Sequence, residues 1–261
     1  MYKTTYIKAE SIDHASASIG DDGKFLAGGM TLIPTMKQRL ASPEILVDLG
    51  GCALSGIEDC GATIKIGAMT KHVDVATSPI VQSAIPALAS LAGNIGDRQV
   101  RNRGTIGGSL ANNDPSACYP AAALGMDAII HTNSRDIEAA DFFVGMFETD
   151  LEEDEIITAV SFPKPEAAAY VKFPNPASRY AMVGVCVAKT SDGIRVAVTG
   201  GGEDGVFRHD ELEAALSAEF SPASARNVSI DASEIVSDMH GTADYRAQLV
   251  GELTARAVEM C

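Results

Sequence analysis

The pattern of apolar and polar positions divides this chain into blocks of different texture. Thr5–Lys8 reads as a short strand, Ser11 is placed to cap a helix running to Ile19, and Lys24–Ala27 reads as a second strand. Leu32–Leu40 is expected to be helical, with Pro34 near its start, where a missing N–H is harmless. Lys37 and Arg39 on that helix read as solvated surface charges. The unbroken apolar run in Glu44–Leu49 predicts a buried strand, so residues 4–50 form a compact βαβαβ-like unit.

From Ser55 the texture changes. A Gly-containing turn and the alternating Thr63–Gly67 predict a hairpin, and Thr70–Thr77 and Ser78–Ala92 predict helices, the second broken near Pro86. His72, alone on its helix, reads as a surface or satisfied residue. Tyr119–Met126 is again helical, Ala128–His131 and Ile137–Ala140 are expected to pair as strands, Phe142-Phe143-Val144 reads as core, and Glu155–Phe162 closes the half as a strand. Pro163-Lys164-Pro165 marks the expected domain boundary, since two prolines disfavour both helix and ladder pairing. Beyond it, Ala168–Phe173, Gly184–Thr190 and Ile194–Thr199 predict antiparallel strands with a hairpin at Asp192-Gly193. Helices at His209–Ser217 and Tyr245–Met260 would cover that sheet. Gly200-Gly201-Gly202, followed by Glu203-Asp204, reads as a turn, because the carboxylates would repel a phosphate.

One stretch fits no period. Asn94–Tyr119 concentrates four glycines, four asparagines and three arginines with almost no long apolar side chains, so it is not expected to be simple core. At Gly107-Gly108 the missing Cβ atoms would let backbone N–H groups approach a bulky ligand, and the Thr105 and Ser109 hydroxyls could donate to phosphate oxygens. Leu26-Ala27-Gly28-Gly29-Met30-Thr31 is a second site of this kind, a strand, a glycine turn and a helix start. The unpaired first amides of a helix favour an anion there. The segment is neither a G-x-G-x-x-G fingerprint nor a P-loop.

Bulk properties narrow the function. A chain of 261 residues can bury a sizeable core and hold two domains. A formal net charge of −15 makes a nucleic-acid partner unfavourable. Five scattered cysteines without a C-x-x-C spacing suggest reduced thiols in a cytoplasmic setting, with no iron–sulfur or zinc site of the chain's own. No apolar run has the length of a membrane span, and the polar N-terminus does not read as a signal peptide.

The segments A-G-G-M-T-L-I-P-T-M-K-Q-R-L and Q-V-R-N-R-G-T-I-G-G-S-L-A-N-N-D-P resemble the two flavin-contacting segments of the FAD-binding medium subunit of the molybdenum hydroxylases, the carbon monoxide and xanthine dehydrogenase group. Ser237-Asp238-Met239-His240 and Ala243-Asp244-Tyr245-Arg246 are similar to that family's C-terminal flavoprotein domain, so the resemblance spans nearly the whole chain. It implies an α+β fold: a two-subdomain FAD-binding domain of the PCMH type at residues 1–165 (subdomains about 1–54 and 55–165), then a small α+β domain at 166–261. In the first motif it assigns FAD contacts to Ala27, Gly28, Gly29, Met30, Thr31 and Leu32. In the second it assigns them to Thr105, Ile106, Gly107, Gly108 and Ser109, with Ile157 at the adenine end. Cys118 stands where relatives often carry an Asp that bonds the nucleotide, and Asp114 is the nearest carboxylate that could substitute. Met30 replaces a usual Gln or His, and Lys172 is near the place where some relatives set a Lys by the isoalloxazine.

The chain offers no Ser-His-Asp order, H-E-x-x-H or paired carboxylates, so no catalytic side chain and no metal ligand is assigned. The cofactor would carry the electron chemistry. The resemblance implies a flavoprotein subunit that passes electrons from [2Fe–2S] clusters of a small partner through FAD to an external acceptor. A large molybdopterin subunit would oxidise the substrate, and the assembly would be a dimer of heterotrimers. Two alternatives stay open: a self-contained FAD-dependent reductase or oxidase, and a scaffold subunit that has lost flavin.

Overall fold

The computed structural model describes all 261 residues, Met1–Cys261. Its first unit is β1 (Thr5–Lys8), α1 (Ile12–Ser18), β2 (Gly23–Leu26), α2 (Leu32–Lys37) and β3 (Ile45–Asp48). The three strands form a parallel sheet in the order β1-β3-β2. Ser11 caps α1, its hydroxyl accepting from the His14 N–H. Helix α2 is shorter than expected, because Arg39 takes a left-handed conformation (φ 64°) and turns the chain away.

The middle of the chain supplies β4 (Ile57–Asp59), β5 (Thr63–Gly67), α3 (His72–Thr77), α4 (Pro79–Ala84), α5 (Pro86–Gly93), α6 (Arg98–Arg103), α7 (Ile106–Asn112) and α8 (Cys118–Gly125). It continues through β6 (Ile129–Thr132), β7 (Asp136–Glu138), α9 (Ala139–Phe142), β8 (Phe143–Gly145), β9 (Glu148–Thr149) and β10 (Ile157–Pro163). Strands β4-β5-β10-β6-β7 make an antiparallel sheet. The residues that alternate inward, Ile64, Ile66, Ile130, Val160 and Phe162, join the helices in one core. Three expectations fail locally. The stretch read as aperiodic contains α6 and α7, each begun by a capping side chain that accepts from the N–H three residues on: Asp97 from Val100 N (2.9 Å) and Thr105 from Gly108 N (3.2 Å). The strand expected to reach Ala140 ends at Glu138 and gives way to α9. Of the aromatic run expected in the core, Phe142 is buried but Val144 is exposed.

The last part holds β11 (Ala167–Pro174), β12 (Ala181–Thr190), β13 (Gly193–Gly202), β14 (Gly205–Arg208), α10 (Asp210–Ala218), α11 (Pro222–Arg226) and α12 (Ala243–Met260). These strands form an antiparallel sheet in sequence order. The triple glycine read as a turn is the end of β13, and the turn lies at Glu203-Asp204. Strand β12 is buried on both faces. Val183, Val185 and Val187 face a core shared with α10 and α12. Cys186 and Ala188 face the larger core around α8. All eight residues of α8 are buried, and a Cβ on Gly125 would stand 3.2 Å from the Cys186 sulfur. Small residues on that face let helix and sheet approach closely. The fold is α+β, and its large core joins α8 to the five-stranded and the four-stranded antiparallel sheets.

Candidate functional site

A cavity of about 790 Å³ opens between the parallel unit, the α6–α7 region and the start of the C-terminal sheet. The turn after β2 forms one wall. Gly28 is there because the two glycine segments abut: a Cβ on it would lie 2.2 Å from the Arg103 carbonyl oxygen and 2.8 Å from Gly104 Cα. The chain then turns at Gly29 (φ 71°) into α2. The N–H groups of Gly28, Gly29, Met30, Thr31 and Leu32 have no acceptor within the chain. Five consecutive unpaired donors beside a cavity give it the chemistry that suits an anion.

The second segment behaves differently from the expectation. The Ile106 N–H donates to Thr70 O (3.1 Å), Gly107 N–H to Ala68 O (2.9 Å), Gly108 N–H to the Thr105 hydroxyl and Ser109 N–H to Thr105 O (3.0 Å). These four amides are spent on the fold, so this wall offers the Thr105 N–H and the Thr105 and Ser109 hydroxyls rather than glycine donors. Gly107 is required by packing, since its Cβ would fall 2.6 Å from the Ala68 Cβ. Ile106 is fully buried in the core and does not line the cavity, unlike Ala27–Leu32, Thr105, Gly107, Gly108, Ser109, Asp114 and Ile157, which all do.

Between these walls stand residues that the sequence left undecided or unmentioned. Lys172 Nζ donates to Asn94 O (2.7 Å) and Arg179 O (3.0 Å) and lies 3.5 Å from the Cys118 sulfur. It therefore ties β11 to the turn before α6 at the cavity edge. Cys118, buried at the start of α8, also borders the cavity. Asp114 does as well, its Oδ1 accepting from Ser116 N (2.9 Å), and burial raises its carboxyl pKa. The Tyr180 phenol pKa is raised by burial and by Asp114 and Cys118. Tyr180, just ahead of β12, lines the same cavity as the first glycine turn, a placement without any sequence signal. His72, read as a surface or satisfied residue, is buried on the cavity wall.

The residues present fit a dinucleotide. Pockets of about 300–1,000 Å³ hold ligands of this scale, and the run of unpaired amides suits phosphate oxygens. A wall of unpaired amides facing a wall that carries hydroxyls, on an α+β scaffold, is a site suited to a dinucleotide.

Residues 2–165 match the family model described as the FAD binding domain in molybdopterin dehydrogenase. The nicotine 6-hydroxylase medium subunit of Paenarthrobacter nicotinovorans is 36% identical, over 97% of this chain and 95% of its own length. The carbon monoxide dehydrogenase medium chain of Hydrogenophaga pseudoflava is 35% identical over the same shares. Among solved structures, a reconstituted CO dehydrogenase from Oligotropha carboxidovorans superposes with a TM-score of 0.91 at 30% identity, covering 100% of this chain and 98% of that one. The chain belongs to this family: it is an FAD-binding subunit of the molybdenum hydroxylase oxidoreductases, in which the molybdenum and iron–sulfur cofactors belong to other subunits. No helix is long and apolar enough to cross a membrane.

Proposed function

We propose that this chain is the electron-transfer subunit of a three-component dehydrogenase. Reducing equivalents enter from [2Fe–2S] clusters of a small partner subunit and leave to an external acceptor. Substrate oxidation takes place in a large molybdopterin subunit. When bound, FAD supplies the one- and two-electron redox chemistry. The observation that carries the reading is the row of five unpaired amides at Gly28–Leu32 in a chain of this family. These amides hold the diphosphate. Ala27, Thr105, Gly107, Gly108, Ser109, Asp114 and Ile157 complete the contact surface, and Ile106 supports it from the core. Lys172 ties β11 to Asn94 and to the Arg179 loop at the edge of the opening, where Tyr180 also stands. The chain divides at about residue 165 into the FAD-binding part and the C-terminal part, works in the cytoplasm, and assembles as a dimer of heterotrimers.

The test compares the isolated, FAD-loaded chain with the co-purified complex against aldehydes, purines, carbon monoxide and reduced nicotinamide. The complex is expected to turn over one of the substrates and the isolated chain none. Robust turnover by the isolated chain would establish the self-contained reductase or oxidase instead.

A further inference from the structure

One polar side chain on the cavity wall lacks a partner. His72 opens α3, is 4% exposed, and its Nδ1 is fully enclosed without a hydrogen bond. Burial, aided by the Arg101 guanidinium, lowers its pKa to about 4, so the ring is neutral near pH 7. A neutral imidazole carries one N–H donor and one acceptor nitrogen. Nδ1 has no acceptor near it and is best left without a proton, which puts the ring's N–H on Nε2.

The main chain fixes where this ring sits. The His72 N–H donates to Gly104 O (3.0 Å), and Ile106 N–H to Thr70 O, so the residues before α3 run alongside those before α7. A Cβ on Gly104 would stand 2.5 Å from His72 Nε2. Without that Cβ, Nε2 can lie against the Gly104 backbone, and His72 and Gly104 both border the cavity. Gly104 in turn abuts Gly28, the first of the unpaired amides. The imidazole therefore stands directly behind the junction of the two glycine segments. On its other side it packs against Tyr119, with ring centroids 5.3 Å apart.

We propose that His72 is a further cofactor-binding residue of this cavity, its Nε2 donating a hydrogen bond to a phosphate oxygen of the dinucleotide beside Gly28. The proposal rests on the reading of the cavity as the FAD site. It adds a ring N–H to a wall whose glycine amides are committed to the fold. It also accounts for a glycine at 104, where any side chain would stand against the ring.

The full chain, stripped of flavin, is titrated with FAD by fluorescence quenching, and folding of each variant is checked by circular dichroism and thermal denaturation. His72→Phe keeps the ring shape without a donor and is expected to weaken FAD binding about tenfold or more. His72→Gln keeps a side-chain N–H and is expected to recover part of the loss. If His72→Phe does not fold, His72→Met carries the same comparison. A folded Phe or Met variant with wild-type affinity overturns the proposal, as does a loss that Gln leaves wholly unrecovered. Failure of the wild-type chain to bind FAD would instead overturn the assignment of the cavity.

Discussion

Gly28→Ala is the substitution that most directly tests how the cavity is built. The new Cβ would stand 2.2 Å from the Arg103 carbonyl oxygen, whereas ordinary contact begins near 3.4 Å. The obstacle is backbone, which no rotamer change can clear, so the two glycine segments must part by about 1 Å (3.4 − 2.2 Å). A hydrogen bond of about 2.9 Å stretched by that amount falls outside bonding geometry. If only two of the five free amides lose their phosphate contacts, at about 1.5 kcal/mol each, the loss is about 3 kcal/mol, or roughly 100-fold in Kd. Overpacking adds about 1–3 kcal/mol of destabilisation, which lowers Tm by about 3–10 °C in a chain of this size. Fluorescence titration with FAD and a melting curve of the flavin-free chain measure the two effects separately. Gly201→Ala is the control, because its Cβ meets nothing nearer than Val198 Cγ1 at 3.4 Å, and its FAD affinity is expected to stay within twofold. A folded Gly28→Ala chain that binds FAD within threefold of wild type would refute the reasoning.

Arg246→Ala should lower Tm by about 6–12 °C. It leaves the Met182 and Gly200 carbonyls and the Asp238 carboxylate without their guanidinium, and loss of one buried charged partner costs about 3 kcal/mol or more; an unchanged melting curve would count against this. Acid sensitivity should centre on Glu155, where burial alone would raise the pKa but donors from Arg135, Thr132, the Glu152 N–H and Ser134 hold it at about 2. A depressed folded-state pKa gives stability above the unfolded value and loses it as pH falls from about 4.5 toward about 2, so that arm of the stability profile should flatten in Glu155→Gln.

The parts of this fold legible in the sequence are those where one local rule decides the outcome. The Lys24–Ala27 strand, the helix break at Pro86 and the Asp192-Gly193 hairpin all follow from residues adjacent in sequence. The parts that were not legible depend on partners far away in the chain. His72 reads as a plain helical histidine until Gly104 and Tyr119 are brought against it. Gly200-Gly201-Gly202 reads as a turn until Phe207 and Ile235 are found packed along it, extending the strand. The glycine pair in α7 shows the same limit at the site itself. The sequence marks both residues as ligand-facing, yet Gly107 is required by the Ala68 methyl 2.6 Å from where its own would be. Its N–H, moreover, is already bonded to Ala68 O. On that wall the glycine amides are committed to the fold, and the donors left facing the cavity are the Thr105 N–H and the Thr105 and Ser109 hydroxyls.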